Sequence, residues 1–307
     1  MSGINEGRVV IVTGAGNGIG RAHALAFADE GAKVVVNDLG GSRDGTGADR
    51  SAAQKVVDEI KAAGGEAVAN GDDISDFAGA KRLVEQAIET FGGLDVVVNN
   101  AGILRDRMLT NMTEAEWDAV IKVHLKGTFG PTQHAAAYWR DQSKAGKQPV
   151  ARVINTTSPS GLFGNLGQTN YGAAKAGIAA FSVIAAGELG RYGVTVNAIA
   201  PTALTRMTED LAGMQAMSTG EDKKAAEALT PDHISPLVVW LGSPLSGDVT
   251  GRVFGVWGNR ITVEEPWVNG PVADRDSKWA PGELTEVIPG LVKKARNNSD
   301  MMGNTLP

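Results

Sequence analysis

The chain of 307 residues contains no cysteine. Disulfide staples, thiolate nucleophiles and Cys-ligated metals are therefore excluded from its chemistry. Histidine is scarce as well. His23, His124, His134 and His233 are its four copies, and none stands at the HxH or HxxxH spacing of a metal-binding pair, so no metal site is expected. There is no surplus of positive charge. The formal net charge is −6, which argues against a nucleic-acid footprint and against a basic membrane-binding face. No apolar run approaches the roughly 20 residues that a membrane-spanning helix needs. The first residues, MSGINEGRVVIVTG, lack the charged and apolar regions of a secretory signal. The expectation is a cytoplasmic protein without nucleic-acid or membrane partners.

What is abundant is glycine, with 40 residues, and its placement is informative. The run RVVIVT (Arg8 to Thr13) is β-branched and apolar at nearly every position, as in a strand buried on both faces of a parallel sheet. GAGNGIG follows, and then a stretch with Ile19, Ala22, Leu25 and Ala26 at helical spacing that stops at Gly31. The alternation continues along the chain. Strands are expected at KVVVND (33–38), at 66–70, and at LDVVVNN, ARVINTT, VTVNAIAP and 251–257. Helices are expected near 50–63, from an Asp76 cap to Phe91, from a Thr113/Glu116 capping box to about Asp141, and over 170–191 and 232–241. SKAGKQP reads as a polar loop, and 202–229 as less ordered. From Gly258 the alternation stops. The fold class expected is a single α/β, Rossmann-type, doubly wound parallel sheet with helices on both faces. Residues 1–257 would form this domain, and 258–307 an extension packing on it or on a neighbouring subunit, with Trp257, Trp267 and Trp279 pointing to burial there.

Two stretches carry chemistry. Gly14, Gly18 and Gly20 lie between the first strand and the first helix. Glycines there let the backbone approach a pyrophosphate, and the helix N-terminus offers N–H groups and a partial positive charge. Asp38 closes the second strand roughly 20 residues later, where a carboxylate hydrogen-bonds the ribose 2′-hydroxyl of a dinucleotide and repels a 2′-phosphate. NAD is thus the expected cofactor, with Arg43 in the following loop as the one feature favouring NADP. The second stretch is SPSGLFGNLGQTNYGAAK. Tyr171 and Lys175 are four apart and share a helix face. A phenol and an ammonium held together can do proton chemistry on an alcohol or ketone.

With these pieces the chain resembles the short-chain dehydrogenase/reductase family. TGAGNGIG, NNAG (Asn99 to Gly102), Ser158 and YGAAK occur in the family's order and spacing over about Gly7 to Trp257. A narrower similarity runs through VVVNDLGG, AVAN, DVVVNNAGILRDR, VHLKGTF, GNLGQTNY and RMT. It points to the hydroxyacyl-CoA dehydrogenase domains of peroxisomal multifunctional β-oxidation enzymes, also known as 17β-hydroxysteroid dehydrogenases, and to their bacterial stand-alone relatives. The chain has no hydratase or sterol-carrier segment and ends in TLP, not SKL, so no peroxisomal address is expected.

The resemblance implies specific roles. Gly14, Asn17, Gly18, Ile19 and Gly20 would line the phosphate turn. Asp73 and Ile74 would hold the adenine, and Asn100, Ala101 and Gly102 its ribose. Pro201, Ala203 and Thr205, in the segment to Arg206, would close over the nicotinamide. Pro201-Thr202 departs from the family's common Pro-Gly. Tyr171 would be the acid/base. Lys175 would lower its pKa and hold the nicotinamide ribose, and Ser158 would steady the substrate oxygen. Thr156, Thr157 and Ser160 compete with Ser158, and the thirteen-residue spacing to Tyr171 selects Ser158. His124 stands where the family has a relay asparagine; it either passes protons or bonds a backbone carbonyl in the core.

The expected substrate is a 3-hydroxyacyl-CoA or a steroid-like alcohol. Leu104, Met108, Leu162, Phe163, Leu166, Met207, Leu211 and Met214 are candidates for its apolar wall, and Arg105, Arg107 and Arg206 for its phosphates. A small alcohol or sugar is the alternative within the enzyme class, and a non-catalytic NAD-binding protein the alternative outside it. The helices over 113–141 and 170–191 would pair in a homodimer or homotetramer, helped by the small residues Ala173, Ala176, Gly177 and Ala180.

Overall fold

The computed structural model describes residues 3–42, 44–47, 51–205, 229–265 and 267–306. Arg43, Arg206, Met207, Leu211 and Met214, each considered above, lie outside them.

Eight strands form one sheet in the order β3-β2-β1-β4-β5-β6-β7-β8. They are β1 Val9–Thr13, β2 Lys33–Asn37, β3 Glu66–Asn70, β4 Val96–Asn99, β5 Ala151–Thr156, β6 Val194–Thr202, β7 Val253–Trp257 and β8 Arg260–Glu264. The first seven pair in parallel. Every residue of β1, β4 and β5 is buried, which is why β1 and β4 read as apolar runs up to their last residue, while β5 also buries Arg152, Asn155 and Thr156.

Alternation decides which residue serves which face. Val10, Val12, Val34, Val36, Val96 and Val98 face a layer carrying Phe27, Val56, Ile60, Val238 and Leu241. Val9, Ile11, Val35, Val97 and Val153 face the opposite layer, with Leu83, Trp139 and Ala185. Each such buried aliphatic side chain contributes about 1.5–3 kcal/mol, so two filled faces hold the strand ends in place. The helices of the first layer are α1 Gly18–Asp29, α2 Ser51–Ala62 and α8 Ser235–Gly242. Those of the second are α3 Phe77–Phe91, α5 Gly127–Lys144 and α7 Thr169–Leu189. Strand order reverses between β1 and β4, and the crevice past the carboxyl ends of these strands is where such sheets bind ligands.

Several details depart from the sequence reading. The helix expected over 113–141 is broken: α4 Glu114–Ile121 passes into a π-turn, Lys122–Lys126, before α5. His124 sits inside that turn, a type of irregularity common at functional sites. α5 runs on to Lys144 and takes in residues assigned to a loop. α7, with a hydropathy of 1.3 over 169–192, is apolar enough to span a membrane, but it packs along β6 with Ile178, Ser182 and Ala185 buried.

The sheet also continues past Trp257. β8 turns back antiparallel on β7. It is an edge strand with Ile261 and Val263 outward, so it lacks the buried run that marks the others. A short helix, α9 Leu284–Lys294, follows and buries no residue. Trp267, expected to be buried, is 100% exposed, and Trp279 stacks under Arg275 instead of entering a core.

Candidate active site

A cavity of about 1200 Å³ opens at the point of strand reversal. All the residues expected to hold the cofactor or carry the catalysis line it. The turn after β1 forms one end. Gly14 and Gly18 have φ of +62° and +55°, a region that side chains other than glycine rarely enter. A Cβ on Gly20 would lie 2.2 Å from the Gly14 carbonyl oxygen, so a side chain there has no room. Asn17, the N-cap of α1, makes no side-chain capping bond, which leaves the first N–H groups of the helix available to an anion. Ile19 lies beside them in the lining.

Asp38 faces this turn. One carboxylate oxygen accepts from the Gly16 N–H at 2.7 Å and the other from the Gly40 N–H at 2.6 Å. Gly16 was not singled out in the sequence, yet a Cβ there would come within 2.8 Å of the Asp38 carboxylate. Asn100 anchors the second motif. Its amide donates to the carbonyls of Thr13 and Gly14, at 3.0 and 3.2 Å, while the N–H groups of Asn100 and Ala101 donate to the Thr13 hydroxyl. NNAG thereby braces the glycine turn. Asp73, whose Oδ1 accepts from the N–H and hydroxyl of Ser75, lies beside Ile74 on the same wall. Pro201 near the end of β6, and Ala203 and Thr205 just past it, line the cavity. Thr202 is the last residue of β6, paired with Trp257; the chain is extended there, so no glycine is needed.

The other end is built around β5 and α7. Ser158 caps a short helix, α6 Pro159–Leu162, and its Oγ accepts from the Ser160 N–H at 3.2 Å. The structure separates Ser158 from two of its competitors. The Thr157 hydroxyl donates to the Lys175 carbonyl at 2.6 Å, and the Ser160 hydroxyl donates to Gln168 at 2.7 Å. Ser158 and Tyr171 line the same end of the cavity. Lys175 donates from Nζ to the Thr156 carbonyl at 2.6 Å and sits 5.5 Å from the centre of the Tyr171 ring.

The charge states differ from those expected. Burial pushes the Tyr171 phenol up to about 12; the Ser158 hydroxyl pulls it back, and the Asp106 carboxylate raises it further. Burial pushes Lys175 down to about 7. Near neutral pH Lys175 is therefore only partly charged, and its burial opposes the lowering of Tyr171 that the resemblance implies. The cause is desolvation, which a four-residue spacing does not reveal.

His124 lies against Tyr171, with ring centres 5.1 Å apart and planes at 90°. Nε2 is 2.8 Å from the Ile103 carbonyl oxygen and 3.1 Å from the Ile103 nitrogen, and Nδ1 has no partner among the described residues. Burial, with Lys175 nearby, holds the imidazole down at about 3. A relay through a charged imidazolium thus has no footing near neutrality. The ring forms a wall behind Tyr171 and pins the Ile103 backbone.

Comparison with known proteins bears on this arrangement. A family description, short chain dehydrogenase, matches residues 8–216. Hydroxyacyl-CoA dehydrogenase ChsB1 of Mycobacterium tuberculosis is 47% identical over 292 residues, covering 92% of this chain and 88% of its own. The chain belongs to the short-chain dehydrogenase family. It is an oxidoreductase of the alcohol–ketone class. A crystal structure of a short chain dehydrogenase from Mycobacterium avium superposes with a TM-score of 0.86 at 56% identity, covering 96% of this chain and 98% of its own. Peroxisomal multifunctional enzyme type 2 of Mus musculus is 50% identical over 236 residues, 77% of this chain and 30% of that longer protein.

This short-chain dehydrogenase has site residues that motif reading passed over. Asp106, Gln168, Met301 and Met302 also line the cavity. Gln168 stands inside GNLGQTNY and Asp106 inside ILRDR, so both were in view without an assigned role. Nothing in the sequence brings Met301 and Met302 to the site. They arrive because the end of the chain folds back, with Gly303 packed beside the Phe163 ring. Of the apolar wall proposed from sequence, Leu104 and Leu166 line the cavity, whereas Met108 is 57% exposed at the rim.

Proposed function

We propose that this short-chain dehydrogenase uses NAD to interconvert a 3-hydroxyacyl thioester of CoA, or a hydroxysteroid, with its ketone. The observation that carries the reading is the joining of two ends in one cavity: a carboxylate over a glycine turn, and a Ser–Tyr–Lys set of which Ser158 and Lys175 are buried and Tyr171 half-buried. The residues present suit a dinucleotide. Gly14, Asn17, Gly18, Ile19 and Gly20 fit its phosphates, Asp38 its adenosine ribose, and Asp73, Ile74, Asn100, Ala101 and Gly102 the adenine side. Lys175, Pro201, Ala203 and Thr205 fit the nicotinamide half. When bound, that group supplies the acceptor or donor of hydride.

The chain's own residues handle the proton and the orientation. In oxidation Tyr171 takes the hydroxyl proton as hydride leaves the same carbon, and in reduction it returns a proton to the alkoxide oxygen. Ser158 donates a hydrogen bond to that oxygen. Lys175, with its amine next to the Thr156 carbonyl, steadies the phenolate when charged. His124 contributes shape. The substrate class rests on the likeness to the hydroxyacyl-CoA dehydrogenase of M. tuberculosis and the multifunctional enzyme of the mouse and on the Leu104, Leu166, Met301 and Met302 surface. We further propose pairing of copies through α4, α5 and α7, where Trp117, Phe129, Val183 and Ile184 are exposed, and a cytoplasmic setting.

The test is reduction of NAD or NADP in the presence of 3-hydroxyacyl-CoAs, 17β-hydroxysteroids and small sugars. NADH formation with the first or second class, and a strong preference over NADP, is the expected result. Preference for NADP would overturn the role given to Asp38. Turnover of sugars alone would overturn the substrate class.

A further inference from the structure

The loop after β2 reaches across the cavity. It leaves Asp38, whose carboxylate holds the Gly40 N–H at 2.6 Å, and meets the segment that follows β4. β2 and β4 flank β1 in the sheet, so this strap spans the carboxyl end of β1 and the glycine turn beyond it. Leu39, Gly41, Ser42 and Gly45 face the cavity from the strap. Two contacts mark where it lands. Arg105 donates from Nε to the Asp44 carbonyl at 2.7 Å. Gly45, at φ +83°, lies so near Ile103 that a Cβ would come within 3.0 Å of its Cγ2 methyl.

The two sides of this closure are unlike. The landing is anchored. Ile103 is buried, and its backbone meets His124 Nε2. The Arg105 carbonyl accepts at 3.0 Å from the amide of Asn170, a fully buried residue next to Tyr171. The strap, by contrast, is exposed at Ser42 and from Asp44 to Gly47, and it holds its own shape. The Ser42 N–H donates to the Thr46 carbonyl at 2.8 Å and the Gly45 N–H to the Ser42 carbonyl at 2.9 Å, while the Asp44 carboxylate accepts from the Thr46 hydroxyl at 2.8 Å. An exposed turn that is bonded within itself, and tied to a buried wall through a side chain, swings as a unit when that tie opens. We propose that Arg105 is a positioning residue that latches this strap across the dinucleotide site, so that parting of Arg105 from Asp44 precedes release of the cofactor. Its Nε–H is engaged with main chain, which sets it apart from a ligand for substrate phosphates. The inference rests on the dinucleotide reading given under the proposed function.

Two readouts test it in the whole chain. The first is the rate of NADH release, followed by stopped-flow fluorescence as excess NAD displaces it from the wild type, Arg105→Ala and Gly45→Ala. A hydrogen bond from a charged donor is stronger than a neutral one, so Arg105→Ala should release NADH about tenfold faster. Gly45→Ala leaves the arginine in place and drives the strap off Ile103, and its release should quicken too. Unchanged release in either variant overturns the inference. So does an Arg105→Ala protein that loses only its KM for a 3-hydroxyacyl-CoA, since the arginine would then serve substrate phosphates. The second readout needs neither substrate nor cofactor. Amide hydrogen exchange of peptides containing Asp44 and Gly45 should be faster in Arg105→Ala than in the wild type, while peptides from β5 and β6 exchange as before. Equal exchange at the strap overturns the inference. Should the wild type bind neither NADH nor NADPH, the dinucleotide reading fails, and the exchange comparison still judges the latch.

Discussion

The two ends of the cavity are made by different means. At the glycine end the main chain does the work. Gly14 and Gly20 bring backbone close to backbone, Gly16 lies against the Asp38 carboxylate, the N-terminus of α1 is left open, and Asp38 is held by two N–H groups. At the tyrosine end side chains from distant segments meet: the buried Ser158 after β5, Lys175 on α7 and His124 in a π-turn, with the half-buried Tyr171 on α7 and the exposed Asp106 before α4. The first kind of site tolerates no added volume. The second kind is sensitive to charge and desolvation. Perturbing each in its own currency sharpens the contrast.

The largest effect is expected at the tyrosine end. Lys175→Met removes a buried amine beside the phenol and should lower kcat by about 10²–10⁴-fold, while thermal unfolding changes little. Comparison of steady-state rates and melting curves checks this. At the glycine end, Gly20→Ala should weaken dinucleotide binding and also destabilise the fold, by about 1–3 kcal/mol, because its Cβ would strike the Gly14 carbonyl. Calorimetric titration with NAD and a denaturant curve measure the two losses. An unaltered affinity in Gly20→Ala would break the proposed distinction between the ends.

A smaller and global effect comes from two buried histidines. His23, bonded through Nδ1 to Ser235 at 2.9 Å, and His124 are both pushed down to about 3 by burial. An unfolded chain binds these protons near pH 6.5 and the folded chain does not, so the folded state loses stability as pH falls. The loss begins near pH 6.5 and is complete near pH 3, and amounts to on the order of a few kcal/mol per residue. Above pH 6.5 neither group contributes a slope. Urea midpoints in this window should flatten in His23→Gln.

The contrast also explains what was legible in the sequence. β1, the glycine turn, α1 and Asp38 are contiguous, so spacing alone located them. The same holds for Tyr171 and Lys175, whose separation is one helical turn. Their charge states were not legible, because the desolvation that moves them comes from segments far away in the chain. The π-turn at His124 was read as plain helix, since VHLKG has helical composition. β8 was missed because its outward Ile261 and Val263 lack the buried pattern that revealed the other strands. Met301 and Met302 reach the cavity by a fold-back that no local motif announces. Gln168 and Asp106 became visible only once the 106–107 and 167–168 segments were seen to lie together.

The central claim is that Tyr171 moves the proton while hydride leaves the same carbon. The direct measurement is single-turnover transfer of deuterium from the carbinol carbon of a 3-hydroxyacyl-CoA to NAD, in the wild type and in Tyr171→Phe. The account predicts labelled NADH from the wild type and a loss of about 10²-fold or more in Tyr171→Phe, with NAD affinity retained. Equal transfer in the two proteins would contradict it.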